Sequence, residues 1–249
     1  MLNLNGSPNM SELKLRWSET SKIADAFRDM DQGASSMEEV AERMVQYLYD
    51  HLESEDKHER ACALVRFFKT EPYGKLRPHL QQYIKNRFGE PDTEQTPCLT
   101  LLASRGMLTE WNSRYDSVNH QCIPLNSPDL LSTFPMIGQL LHQFGVDLSE
   151  LVPVEPSVVL KRDEKTYNVF HVEDALKSPY IPDKENFVIP YGIKSIVGFG
   201  GVLPLASMFA IILFSRAPIK REVAQLFMPL ALSAKNPLLS FAGRPFFAR

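Results

Sequence analysis

The sequence predicts an α+β fold, in which helices gather on an antiparallel β-sheet. Two observations favour this class. Helix and strand patterns follow one another in the order helix, helix, strand, strand, long excursion, strand, hairpin, helix. The second observation is an uncharged apolar segment from Ser195 to Ser215, which has the length of a buried β-hairpin.

The uncharged segment also resembles a membrane span at first reading. As a single helix, its 21 residues would rise about 32 Å, which is the thickness of a bilayer core. Three glycines and Pro204 interrupt its first half, and the unbroken apolar run is only Met208 to Phe214. We therefore expect two strands, Ile193 to Val202 and Ser207 to Phe214, joined by a turn, and no membrane insertion.

Two helices are predicted at the start of the chain. The first has a narrow apolar stripe, made by Leu13, Trp17, Ala24 and Phe27. This stripe either packs on its own domain or pairs with a second chain. Ser35 and Glu38 form a capping box for the second helix. Its broad apolar face consists of Met37, Val40, Ala41, Met44, Val45, Leu48 and Leu52.

The remaining elements follow from alternation and helical spacing. Strands are expected at 61–69, 98–103, 120–125 and 167–172, and helices at 80–88 and 127–144. The last of these strands interrupts a proline-rich excursion over the sheet, which spans 148–190. A final helix is expected to begin with Pro218 at its first position and to be kinked at Pro229.

Composition and charge exclude several classes of function. The net charge of −3 and a pI near 6.1 provide no field that would attract nucleic acid. Cys62, Cys98 and Cys122 are far apart, and an odd number of cysteines suits a reducing compartment, so we expect a cytoplasmic protein. The N-terminus lacks the continuous apolar core of a signal peptide. The six histidines have no metal-ligand spacing, and no catalytic residues are assigned.

Four segments of the second half carry a resemblance to a known family. They are ACALVRFF at 61–68, TYNVFHVEDALKSPYIP at 166–182, FVIPYGIKSIVGFGGVLP at 187–204 and MFAIILFSRAPIKREVAQLFMPLALS at 208–233. Over most of residues 36–241 the chain resembles a GAF-like sensory domain of the type found N-terminal to bacterial histidine kinases. The GFGG motif within them matches neither a dinucleotide-binding motif nor a P-loop, and we attribute it to close backbone packing or a β-bulge.

The resemblance implies a central antiparallel sheet of about six strands flanked by helices, with a pocket between the sheet and the excursion. It also implies a homodimer formed through terminal helices, and a histidine kinase or another signalling output as the partner. It specifies no ligand, so the cofactor is unknown. The domain boundaries expected are an N-terminal helix at 1–35, the sensory domain at 36–241 and a C-terminal tail at 242–249.

A small ligand would require an aromatic-lined pocket with few polar anchors. The candidate residues are Phe67, Trp111, Phe170, His171, Tyr180, Tyr191 and Phe199. His171 is either a haem ligand or a hydrogen-bonded structural histidine. Trp111 lies in a polar loop with Arg114 and Tyr115, which is either a binding patch or a loop anchored by a buried tryptophan.

Three hypotheses of function follow. The first is a sensory or regulatory domain that binds a small ligand or a protein partner and relays the signal to an output. The second is a ligand-free dimerisation or interaction module. The third is a cysteine-dependent reductase, because one family of GAF-fold enzymes reduces free methionine sulfoxide. The spacing of the three cysteines does not match that family, so we expect a protein that is not an enzyme.

Overall fold

The computed structural model describes residues 13, 15, 17–54, 60–118, 120–125, 134–144, 169–181, 183–205, 207–244 and 246–247. These residues form a six-stranded antiparallel sheet in the order β3-β2-β1-β6-β5-β4. The strands are β1 Cys62–Pro72, β2 Pro97–Gly106, β3 Cys122–Pro124, β4 Val169–Val172, β5 Ser195–Leu203 and β6 Ser207–Ser215. The helices are α1 Trp17–Arg28, α2 Met37–His51, α3 Pro78–Phe88, α4 Pro135–Gln143, α5 Arg221–Gln225 and α6 Met228–Leu239. The predicted α+β class is confirmed.

The uncharged segment forms the β5–β6 hairpin, as predicted. Its register is continuous from Ser195 opposite Ser215 to Leu203 opposite Ser207, so the hairpin contains no bulge. A side chain at Gly200 would meet the carbonyl oxygen of Phe209 on the partner strand, which makes close backbone packing the reason for this glycine. Within the part of the chain that the structure describes, no helix is long and apolar enough to cross a membrane.

The two faces of the sheet carry separate apolar clusters, because side chains alternate along each strand. One face, which we call the helix face, carries Val65, Phe67 and Phe209 and is covered by α1, α2 and α6. The other, which we call the cavity face, carries Leu64, Phe68 and Ile212 and contacts α4 and the residues around Val188 and Ile193. Helices therefore screen one face, whereas irregular segments cover much of the other.

The second helix packs as predicted except at its N-cap, whereas the predicted stripe of the first helix is wrong at Trp17. The apolar face of α2 is buried along its whole length. The N-cap is Ser36 rather than Ser35, and its Oγ accepts a hydrogen bond from the backbone N–H of Glu39. Trp17 does not belong to the buried stripe of α1, since 67% of it is exposed, and Thr20, Ile23 and Phe27 are buried instead.

The final helix is divided into two. Pro218 precedes the first of them, because α5 begins at Arg221 after an N-cap at Lys220. Pro229 lies in the first turn of α6, where a missing backbone N–H leaves no hydrogen bond unmade, so it starts a helix and does not kink one. The predicted strand residues 167 and 168 and the first part of the predicted helix 127–144 lie outside the described residues.

Candidate ligand-binding cavity

A cavity of about 400 Å³ lies on the cavity face of the sheet. Its floor is formed by side chains of β1, β2 and β6, which are Arg66, Phe68, Leu99, Ile212 and Phe214. Its walls are formed by the loop after β2, the start of α4 and the turn of π-helix at Lys184–Val188. The volume is within the range of about 300–1,000 Å³ that small-molecule sites occupy.

One wall is a cluster of aromatic rings that meet edge to face. The ring of Trp111 lies 4.5 Å from Tyr191 and 5.6 Å from Phe187, measured between centroids. The Phe187 ring in turn lies 5.1 Å from Phe214 on β6. Such a wall offers a large apolar surface at low cost in side-chain entropy.

Local backbone geometry positions this wall. The Asn112 Oδ1 accepts a hydrogen bond of 3.0 Å from the backbone N–H of Gly106, and its Nδ2 donates to the carbonyl oxygen of Leu108. Trp111 is therefore held over the end of β2. Tyr191 is followed by Gly192, whose φ of 64° belongs to the left-handed region that favours glycine. This turn directs the chain from the wall into β5.

Arg66 and His120 are polar exceptions in the apolar lining. Burial lowers the pKa of Arg66 to about 10, so the guanidinium keeps its charge at neutral pH. Burial also lowers the pKa of His120 to about 4, and the charges of Arg66 and Arg87 act in the same direction. His120 is thus a neutral ring at pH 7, and Arg66 supplies the positive charge of the cavity.

Three carboxylates also contribute to the lining, namely Glu110, Asp116 and Asp183. All three residues are exposed to solvent. None of them forms an ion pair with Arg66 within the described part of the chain. The negative charges therefore lie toward solvent, whereas the positive charge lies on the floor.

The structure brings together only part of the predicted pocket. Trp111 and Tyr191 line the cavity. Phe170 is fully buried in the same apolar cluster but does not line the cavity, and Tyr180 is 37% exposed outside it. The predicted role of these residues in binding a ligand stays a prediction.

The other three candidates lie on the helix face or at its edge. Phe67 stacks on Phe209 with centroids 5.7 Å apart, and Phe199 lies 5.6 Å from Phe227 of the loop before α6. Phe67 points away from the cavity because its strand neighbours Arg66 and Phe68 both line it, and Phe199 belongs to the apolar cluster of the helix face. His171 hydrogen bonds through Nε2 to the carbonyl oxygen of Ile219 at 2.8 Å, which matches its interpretation as a structural histidine.

Sequence reasoning missed Arg66, His120 and Phe187. One signal for Arg66 was available, because it is the single charged residue within the apolar strand segment CALVRFF. An arginine in a strand that is buried on both faces requires either a partner or a cavity. His120 and Phe187 come from irregular segments, where no periodicity indicates the direction of a side chain.

The three cysteines lie away from the cavity and are fully buried. All belong to the cluster on the helix face. Burial raises the pKa of Cys62 to about 12, and a hydrogen bond with Cys122 together with burial raises the pKa of Cys98. Neutral thiols without access to solvent are poor nucleophiles, so this geometry gives the reductase hypothesis no support.

An antiparallel six-stranded sheet, with helices on one face and a cavity on the other, is the arrangement that the sequence resemblance implied. The fold is GAF-like.

No family model matches this GAF-like chain, and no curated protein matches it. Within the described residues, no group of three or more histidine, cysteine or acidic side chains is placed to hold a metal ion.

Comparison with solved structures finds GAF domains among the matches. The GAF domain of a phosphoenolpyruvate-protein phosphotransferase from Acinetobacter is 12% identical, with 91% of this chain and 96% of that chain covered and a TM-score of 0.44. A phycoerythrobilin-bound GAF domain from a cyanobacterial phytochrome is 9% identical, with the same coverage and a TM-score of 0.43.

A type II free methionine-R-sulfoxide reductase from Thermoplasma acidophilum also matches. It is 15% identical, with 87% of this chain and 95% of that chain covered and a TM-score of 0.38. These likenesses concern the fold alone.

Proposed function

We propose that this GAF-like domain is a sensory module that binds a small molecule in the cavity and relays its occupancy to an output. The observation that carries the proposal is the cavity of about 400 Å³ with its aromatic wall. An open space beside rings that a filled core would cover favours ligand binding over the ligand-free module. We propose a histidine kinase or a related signalling protein as the output and the cytoplasm as its location.

A continuous set of contacts connects the cavity wall to the helix face. The loop that carries Trp111 also carries Arg114, whose guanidinium forms a buried ion pair with Glu38 of α2. The ring of Phe247 lies 3.9 Å from that guanidinium, and the carbonyl oxygen of Phe246 accepts a hydrogen bond from the backbone N–H of Glu38. A shift of the wall on ligand binding would therefore act on α2 and on these C-terminal residues.

The two tryptophans of the chain allow a direct test of ligand binding. Trp17 is exposed on α1, whereas Trp111 lines the cavity, so a Trp17→Phe variant reports on the cavity alone. We expect a panel of small metabolites to contain a molecule that changes the fluorescence of this variant. A ligand at 100 times its Kd should also raise the free energy of unfolding by about 2.7 kcal/mol, visible as a higher Tm.

The matched control is the Trp111→Phe variant, which retains only the exposed Trp17. Its fluorescence should not respond to the same molecule, although its Tm should still rise. Native mass spectrometry of the freshly purified protein adds a second test, because a retained ligand increases the mass. A protein that carries no bound molecule, and whose fluorescence and Tm no metabolite changes, would contradict the proposal.

We also propose that the module is a homodimer, formed through α1 and α6. These two helices pack on each other, and the exposed apolar side chains of α6 are Met228, Leu232 and Leu239. Their spacing places them within about 40° of one another around the helix. Trp17 on α1 is also a large apolar side chain that is exposed.

Light scattering is expected to give the mass of a dimer. A Leu232→Glu variant places a charge in the middle of this surface and should yield a monomer. The control is Gln82→Glu on α3, which adds the same charge to an exposed helix elsewhere and should leave the dimer unchanged. A parent protein that is monomeric at micromolar concentration would rule out this dimer.

A further inference from the structure

Arg66 is a buried cation with unused hydrogen-bonding capacity. Its Nε is fully buried and has no hydrogen-bond partner among the residues that the structure describes. Within this described part of the chain, its Nη2 donates to Ser117 Oγ alone, over a long distance of 3.5 Å. No carboxylate of the described residues pairs with it, and yet the side chain lines the floor of the cavity. A buried guanidinium normally has a carboxylate or several acceptors around it, so its present environment is incomplete.

A second unsatisfied polar atom lies beside the first. Ser104 on β2 is directly opposite Arg66 on β1, so the two side chains are on the same face of the sheet. The Ser104 Oγ is buried and has no hydrogen-bond partner in the described structure. Ser117, which lines the cavity, has a second hydroxyl near the guanidinium. The guanidinium and the Ser117 hydroxyl both line the cavity, and these donors together suit an anion, with the Ser104 hydroxyl next to Arg66 on the neighbouring strand.

The surrounding charges favour a ligand whose anionic group is small and carries a single negative charge. Among the described residues that line the cavity, Arg66 is the cation, since His120 is neutral at pH 7. Glu110, Asp116 and Asp183, which lie toward solvent, would repel a second negative group on the same ligand. A phosphate ester or a dicarboxylate would place such a group near them. A planar monocarboxylate matches the planar fork of the guanidinium and adds no second charge.

The remaining lining selects the body of the ligand. In the described part of the chain, the aromatic side chains that border the cavity are Phe68, Trp111, Phe134, Phe187, Tyr191 and Phe214. Rings such as these contact a flat aromatic ligand by edge-to-face and offset stacking. The volume of about 400 Å³ admits one such molecule.

We infer that the cavity binds an aromatic monocarboxylate, with its carboxylate against Arg66 and its ring against the Trp111–Phe187–Tyr191 wall. This inference rests on the proposed function, because it names the ligand class of the same cavity. It predicts that the charge of the ligand, and not only its apolar area, determines affinity.

The test compares acids with their neutral amides by calorimetry on the full chain. The probes are 3-phenylpropanoate, 4-phenylbutanoate and biphenyl-4-acetate, each paired with its carboxamide of nearly equal shape. We expect at least one acid to bind with a Kd below about 1 mM and its amide to bind at least about tenfold more weakly. If no acid binds better than its amide, the inference is wrong.

Substitution of Arg66 provides a second test of the same inference. Arg66→Met retains the length of the side chain without its charge, and should weaken the acid at least about tenfold while the amide changes less than about twofold. Arg66→Lys keeps the charge without the fork and should bind the acid with intermediate affinity. The matched control is Arg105→Met on β2, since Arg105 contacts Gln46 on the helix face and does not line the cavity.

The outcomes separate this inference from the proposed function. Equal losses for acid and amide in Arg66→Met, or the same loss in Arg105→Met, would overturn the role of Arg66. If a neutral metabolite changes the fluorescence of Trp111 and no acid is preferred over its amide, the proposed sensory function stands but the inferred ligand class is wrong. Arg66→Met should unfold at or above the Tm of the parent, because it removes an unpaired buried charge. If Arg66→Met fails to fold, the affinities of the parent and of Arg66→Lys for acid and amide test the inference. The inference is then wrong if neither protein binds the acid more tightly than the amide.

Discussion

Replacement of Arg114 by methionine is expected to lower the free energy of unfolding by about 3–5 kcal/mol. The reason is that its ion pair with Glu38 is buried, with only 5% and 8% of the two side chains exposed. The substitution removes the positive charge that Arg114 provides to the buried Glu38 carboxylate. Arg114 also lies over the rings of Tyr115 and Phe247, at 4.0 and 3.9 Å, so packing is lost as well. Urea-induced unfolding followed by circular dichroism measures the loss.

A double variant distinguishes a broken pair from a general loss of packing. In Glu38→Leu with Arg114→Met, both charges of this pair are removed, so most of the stability should return. The control is Arg28→Met, because the Arg28–Asp25 pair of α1 is exposed and its loss should cost less than about 1 kcal/mol. A double variant as unstable as Arg114→Met alone would assign the effect to packing around Phe247 instead.

The same variant bears on signalling. Arg114 joins the loop of the cavity wall to α2, and Trp111 on that loop lines the cavity. A wall that has lost this attachment should still bind ligand, with lower affinity, but should transmit less of the change to α2. Where the Arg114→Met variant remains folded, it therefore also tests whether this ion pair transmits the change from the cavity wall to α2.

Replacement of Gly200 by alanine is the second substitution with a large expected effect. The added Cβ would lie 2.0 Å from the carbonyl oxygen of Phe209 and 2.9 Å from the Cα of Ala210. Both atoms belong to the backbone of β6, which cannot move away without disrupting its pairing with β5. We expect a loss of more than about 3 kcal/mol in unfolding free energy, or a protein that does not fold.

Gly198 provides the matched control on the same strand. An alanine there would lie 3.3 Å from the Cβ of Phe170 and 3.4 Å from a methyl group of Leu140. The contact with Leu140 is with the far end of a side chain, which can yield, so Gly198→Ala should cost clearly less than Gly200→Ala. Equal losses for the two variants would show that glycine is needed here for a reason other than the approach of β6.

The elements that the sequence predicted best are those with strong local periodicity. The apolar face of α2 repeats at three and four residues and is buried at every predicted position. The β5–β6 hairpin was also predictable, because its glycines and Pro204 cannot be accommodated in a helix and its β-branched residues favour a sheet. Element ends were less well predicted, as the shift of the N-cap from Ser35 to Ser36 illustrates, since neighbouring serines cap equally well in isolation.

The sequence by itself determined an α+β fold with a buried central hairpin. It also predicted Trp111 and Tyr191, which line the cavity, and its net charge of −3 provides no field that would attract nucleic acid. Only the tertiary structure decided which side chains face the cavity. Alternation along a strand separates Arg66 from Phe67, but it does not indicate which of the two faces the helices will cover. That choice depends on the packing of α1, α2 and α6, which come from distant parts of the chain and bury Phe67 while leaving Arg66 on the floor of the cavity.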